Sequence, residues 1–230
     1  MAVFNVQLFV NTLLYFFIFV CGFAISVPLG VTNIENSGGC LLYAKIQPYN
    51  VTYYTLLYSK KSNCDFPIYI GVFVCIFYAL GMGIYNTYAI YKSQKDPSIA
   101  SQMWVMPFIL LNSLVAAIMF VASCVISVGF RELCDSLTKN KYQYYSSCGK
   151  AENQRLHSQT THKFSSTGKF YTYINVTQTA SWICTLGWIA LVVSGIIRFS
   201  LNRRLRMQGS QNTERAPSDL TQIASIEPTA

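Results

Sequence analysis

The chain has 230 residues, a formal net charge of +8 and only 11% charged residues, against 52% hydrophobic ones and a mean hydropathy of +0.33. A soluble surface needs about 25–35% charged side chains, so a conventional globular enzyme is excluded. The positive balance is therefore read as charge beside a membrane, not as a nucleic-acid footprint.

In chain order, a head over residues 1–7 precedes a first apolar run, 8–29. Three more follow at 67–91, 103–130 and 180–197, and none of the four contains an Asp, Glu, Lys, Arg or His. About 20 apolar residues cross the roughly 30 Å hydrocarbon layer, so each run predicts a transmembrane helix. Between them lie a long loop 30–66, a short connection 92–102, a second long loop 131–179 and a tail 198–230. Four spans place both termini and the short connection on one side and the two long loops on the other. The first run is read as a retained helix: its head carries no Lys or Arg and its apolar stretch exceeds the length of a cleaved signal.

Three cues orient the four spans. The sequons Asn50-Val51-Thr52 and Asn175-Val176-Thr177 fall one in each long loop, and acceptor asparagines are used on the lumenal side. Cys40 and Cys64 lie in the first long loop and Cys134 and Cys148 in the second, whereas Cys21, Cys75, Cys124 and Cys184 lie within the spans. An even pair per loop suits an oxidising compartment. The simplest pairing joins Cys40 to Cys64 and Cys134 to Cys148, each closure worth about 3 kcal/mol, and two other pairings satisfy the same count. Charge is the mixed cue. Arg198, Arg203, Arg204 and Arg206 follow the last span as a basic cluster at the lipid surface, as a cytoplasmic side should look. The long loops nevertheless hold 10 Lys or Arg against 7 on the other side. Long loops obey the positive-inside rule weakly, so the count is discounted. The reading is a multi-pass protein of the plasma membrane or secretory pathway with both termini cytoplasmic.

Within the first long loop, residues 41–46 and 51–58 are rich in Leu, Val, Thr and Tyr around Gln47-Pro48-Tyr49-Asn50, which predicts a hairpin. In the second, 169–176 reads as a further strand and the polar stretch 149–168 as mobile. Beyond Gln208 the tail reads as disordered, with Ser218 a candidate phosphorylation site. The result is an all-α membrane protein, a four-helix bundle under a small disulfide-bonded, β-containing extracellular layer.

Candidate chemistry is sparse. Small residues recur four apart in every span (Gly22 and Ser26, Ala79 and Gly83, Ser113 and Ala117, Ser123 and Ser127, Ala190 and Ser194), which is read as packing within the bundle. Asn11, Asn86 and Asn112 are the conspicuous polar groups of the helical stretches, and Asn112 is placed deepest, where an interhelical hydrogen bond or a substrate site would account for it. His157 and His162 sit in a polar loop without enough further ligands for zinc, and Glu132, Asp135 and Glu152 are scattered carboxylates. No catalytic residue, metal or cofactor is assigned. The expected partners are membrane lipids and other membrane or extracellular proteins.

Gly39-Cys40-Leu41-Leu42-Tyr43, Ala122-Ser123, Ser127-Val128-Gly129-Phe130, Leu133-Cys134-Asp135-Ser136 and Ala180-Ser181-Trp182 together resemble the transmembrane protein 179 and 179B family. The resemblance implies a claudin-like four-span arrangement and no assigned activity. The first loop lacks the Gly-Leu-Trp-Cys-Cys signature of true claudins, and the second lacks the Cys-Cys-Gly of tetraspanins. The leading expectation is a non-enzymatic protein that engages protein partners through its disulfide-bonded loops. The alternative is a channel or a channel-auxiliary subunit.

Overall fold

A computed structural model describes residues 2–48, 54–95, 105–138, 146–152, 155–158, 164–166 and 168–223. Helix α1 spans Ala2–Glu35, followed by strands β1 (Cys40–Pro48) and β2 (Tyr54–Ser59). The second span is a continuous run of α2 (Ser62–Tyr69), a wide π-helical segment (Ile70–Tyr78) and α3 (Ala79–Lys95). Helix α4 covers Val105–Thr138, a 3-10 turn Cys148–Ala151 and strands β3 (Arg155–Ser158) and β4 (Phe164–Ser166) follow, and α5 covers Phe170–Ile223.

Stretches of these helices over Val6–Glu35, Ser62–Lys92, Met106–Thr138 and Phe170–Arg204 are long and apolar enough to cross a membrane. They outrun the charge-free stretches because nothing breaks them at the lipid boundary. The first span continues until Ser37 (φ 56°) and Gly38 (φ 81°) turn left-handed and Gly38 donates its N–H to the Asn33 carbonyl, a Schellman-type stop. The third continues because Leu133 and Leu137, four apart, stay buried while Arg131 and Glu132 face outward.

In the bundle, α1 packs on the second span and on α5, and α5 packs in turn on α4. Close approach at small residues supplies much of this contact, as it must where lipid removes the hydrophobic drive. A Cβ on Gly22 would stand 2.9 Å from the Cys75 Cβ, and one on Gly195 would stand 2.9 Å from Ile109 Cγ1. Not every small residue serves this purpose: Ser113, Ala117 and Ala190 lie exposed on the outer surface of the bundle.

Above the bundle, β1 pairs antiparallel with β2, β2 parallel with β3, and β3 antiparallel with β4. The hairpin expected over the first loop is therefore present, extended by two strands from the second. Residues 149–168, expected to be mobile, contribute most of the 3-10 turn and both added strands: the free edge of β2 offers backbone partners to β3, and β3 offers its own to β4.

Two further expectations need correcting. Residues 169–176 form the first turns of α5, not a strand: Phe170, Ile174, Thr177 and Ser181 recur at helical spacing, and all are buried. Glu152 accepts bonds from the Thr172 N–H (2.7 Å) and hydroxyl (2.9 Å), satisfying the helix start. The tail was expected to be irregular past Gln208, yet α5 runs to Ile223. Arg, Leu, Met and Gln between 201 and 208 are good helix formers that extend a helix already nucleated in the span.

Candidate functional site

Two regions carry the distinctive chemistry of this chain: the clamped layer on the loop side and the polar interior toward the terminal side.

The layer starts from covalent links. Cys40 is bonded to Cys64 and Cys134 to Cys148, with Cα separations of 5.7 and 5.2 Å. The first ties the start of β1 to the first turn of α2, and the second ties the top of α4 to the 3-10 turn. Packing does the rest. Leu41, Leu42, Ile46 and Leu56 from the hairpin share one core with Leu133 and Leu137 of α4 and with Phe170 and Ile174 of α5. The contact is closest at Gly129, where an added Cβ would stand 2.7 Å from Leu42 Cδ2 and 2.8 Å from Tyr43 Cε2. Between Cys40 and Lys45 the register of β1 against β2 shifts, and Tyr43 within that irregularity has φ 63°. An aromatic residue there costs about 1–2 kcal/mol of backbone strain, which the packing of Leu42 and Tyr43 on the glycine offsets. Burial and the nearby Glu132 carboxylate hold the Tyr43 phenol above its ordinary range, so it stays neutral at physiological pH.

The four span cysteines are free thiols. Cys75 and Cys184 lie 3.4 Å apart, Cys75 lies 3.5 Å from the Met119 sulfur, and all three side chains are buried at mid-bundle. Beside them Trp188 is fully buried, stacked on Tyr78 and edge-on to Tyr15. Asn112 donates to the Tyr15 hydroxyl and accepts from the Tyr78 hydroxyl, each at 2.9 Å. Its depth is thus explained by two bonds that join three spans, without a substrate. A second cross-link joins α4 to α5, where the Ser123 and Thr185 hydroxyls are 3.0 Å apart. Changing Asn112 to leucine strands two tyrosine hydroxyls and is expected to cost about 1–2 kcal/mol. Thermal unfolding of the purified chain in a bilayer mimic checks this; a melting temperature equal to that of the unaltered chain would contradict it.

Toward the termini the interior turns polar. Gln7 donates to the Ser194 carbonyl at 2.7 Å, and the Ser194 hydroxyl donates to Asn11 Oδ1 at 2.7 Å. Asn86 and Arg198 are buried as well, each 6% exposed. Arg198 was expected to share a basic cluster at the lipid surface with Arg203, Arg204 and Arg206. It leaves that cluster, because it sits one helical turn beyond Ser194, on the face of α5 turned into the bundle. Arg203 and Arg204 are exposed, and the Arg206 side chain lies outside the described residues.

Other expected positions are placed as follows. Asn175 is exposed on α5, but Thr177 of its sequon is fully buried with its hydroxyl bonded to the Tyr173 carbonyl. Asn50 and His162 lie outside the described residues, and His157 pairs through its backbone with Thr55. Glu132 is exposed, Asp135 half-buried, and Glu152 caps α5. Among the described residues no three His, Cys, Asp or Glu side chains cluster as a metal site would require. Sequence reasoning missed the inward-turned face on which half-buried Ser194 is followed by buried Arg198 and Asn202; its signal was a spacing of four that continues the polar series past the end of the charge-free run.

A family model described as the transmembrane protein 179/179B claudin domain matches residues 7–218. Transmembrane protein 179B of Danio rerio is 26% identical over 214 residues, covering 92% of each chain. No solved structure matches the chain.

Proposed function

We propose, from the premise that this chain belongs to the transmembrane protein 179/179B claudin-domain family, that it is a non-enzymatic membrane protein whose clamped loop layer binds protein partners. The observation that carries this reading is the double disulfide clamp of the layer on the bundle. Two disulfides, a shared core and the Gly129 contact hold the β1–β2 hairpin and the 3-10 turn in one position on the bundle. A surface held this way loses little conformational entropy on binding, which favours specific recognition. An apolar side chain stands on it unused: Leu57 of β2 is 41% exposed. In this reading the layer faces the lumen or the extracellular space of the secretory pathway or plasma membrane, with both termini in the cytoplasm, since paired thiols persist where the medium oxidises.

The interior favours partner binding over a pore within one chain. Trp188, Met119 and Ile18 fill the mid-bundle, and Asn112 is committed to two tyrosines. A channel role is retained as the alternative in its auxiliary form, in which the same layer would dock on a channel protein.

Photocrosslinking from the Leu57 region in intact cells tests the reading. A discrete crosslinked species is expected, and Leu57→Lys, which perturbs the surface and not the core, should abolish it. Absence of any such species, or its persistence in Leu57→Lys, would reject the proposal. Sidedness has its own test. Glycosidase digestion should remove a glycan from the chain, and Asn50→Gln should remove most of that mobility shift, because the helical Asn175 sequon with its buried Thr177 is the poorer acceptor. A chain that carries no glycan at either asparagine would count against a lumenal layer.

A further inference from the structure

We infer that the buried sulfur cluster at the middle of the bundle is a binding site for a soft monovalent metal ion, Cu(I), with Cys75, Cys184 and Met119 as its ligands. The three side chains come from three spans: Cys75 from the π-helical segment of the second, Met119 from α4 and Cys184 from α5. Cys75 Sγ stands 3.4 Å from Cys184 Sγ and 3.5 Å from Met119 Sδ, and none of the three residues is more than 1% exposed. His, Cys, Asp and Glu by themselves make no three-ligand site among the described residues; here the third ligand is a thioether. That donor set is selective. Thiolates joined by a thioether suit Cu(I), whereas a structural zinc ion takes four ligands from thiolate, imidazole and carboxylate.

Two features around the sulfurs go beyond ordinary packing. An S–H group is a weak donor, so the thiol contacts contribute little as hydrogen bonds and do not by themselves explain why the sulfurs converge. The first feature is Trp188. Its indole N–H is fully buried, has no hydrogen-bond partner of normal geometry among the described residues, and lies against the Cys184 sulfur. A buried donor without an acceptor is costly, and a thiolate at Cys184 would be a strong one. The second feature is the backbone. Cys75 is carried by a π-helical segment, Ile70–Tyr78, a rare widening of the helix that recurs at functional sites.

The geometry is close to what such an ion needs. Metal–thiolate bonds of about 2.3 Å in a trigonal array set the sulfurs about 4.0 Å apart, so each observed separation has to open by about half an ångström. Met119 can supply part of this, since its unbranched side chain adapts through three rotatable bonds. On binding, each of the two thiols forms a sulfur–copper bond and gives up its proton to the medium, while the thioether sulfur donates a lone pair. Copper stays Cu(I) and no electron moves. Two thiolates and one Cu(I) leave a single negative charge, spread over the sulfurs and met by the Trp188 N–H. An open groove of about 560 Å³ between α1 and α3 reaches Ala79, one helical turn from Cys75, and so brings space outside the bundle near the site.

Anaerobic titration of the full chain in nanodiscs with Cu(I), against graded amounts of a Cu(I) chelator, tests this, followed by X-ray absorption at the copper edge. The unaltered chain is expected to retain one Cu(I), with sulfur as its only ligand type at about 2.3 Å, and Zn(II) in a parallel titration should not be retained. Met119→Leu should weaken retention at least about tenfold, since removing a group that merely supports a metal ligand already costs about 10–100-fold. Cys75→Ser should abolish it. Cys124→Ser, which alters a free thiol outside the cluster, should leave it unchanged. Met119→Leu conserves charge and approximate volume, so it keeps the test decisive if Cys75→Ser fails to fold. Failure to retain copper, nitrogen or oxygen ligands at the copper edge, equal retention of Zn(II), or retention insensitive to Met119→Leu would each overturn the proposal.

Discussion

Gly129→Val is expected to loosen the loop layer from the bundle and destabilise the protein by about 3 kcal/mol, at the upper end of overpacking costs. The reason is local and steric. Any Cβ at this position meets Leu42 and Tyr43 at 2.7–2.9 Å, and neither has an easy retreat. Leu42 is fully buried, and Tyr43 is held in a left-handed backbone conformation that fixes where its ring can go. The companion measurement is Gly81→Val, on α3, where an added Cβ would meet nothing within 4 Å. Thermal unfolding in nanodiscs, with limited proteolysis of the loops, should show a large effect at Gly129 and little beyond helix propensity at Gly81. Equal effects at the two positions would remove the latch from this account.

Removal of the Cys40–Cys64 bond, by serine at both positions, is expected to cost about 3 kcal/mol. The companion change at Cys134 and Cys148 should cost less by about 0.5 kcal/mol, since the bonded residues are 14 apart in sequence instead of 24 and loop-closure entropy grows with the logarithm of that length. Double substitution avoids leaving a reactive unpaired thiol. The first pair also matters more mechanically, since it joins the sheet to the second span. Unfolding midpoints of both double variants in nanodiscs give the comparison; a second-loop variant clearly less stable than the first-loop variant would reverse the ranking and sink the entropic explanation.

How much could be read in advance differs from element to element, and the differences are physical. The four spans were legible because lipid imposes a one-dimensional rule: a helix that crosses must be apolar along about 20 residues, whatever its neighbours do. The hairpin over the first loop was legible from β-rich runs around a turn. The segment 169–176 was misread because aromatic and β-branched residues favour strands only as a weak prior, and the neighbouring helix with its Glu152 cap overrode it. The third and fourth strands were missed because their sequence is polar and short; the third exists through pairing with the β2 edge, which no local window contains, and the fourth pairs in turn on the third.

For the candidate sites the division is sharper. Sequence alone determined that this protein lives in a bilayer with two cysteine-bearing loops on one face, because charge exclusion and chain parity need no knowledge of contacts. The choice of Asn112 as a structural bridge and the withdrawal of Arg198 from the surface cluster were decided only by the tertiary structure. Helix rotation determines whether a polar side chain meets a partner, lipid or empty space, and that rotation follows from contacts such as Gly22 on Cys75 and Gly195 on Ile109, made across spans far apart in sequence.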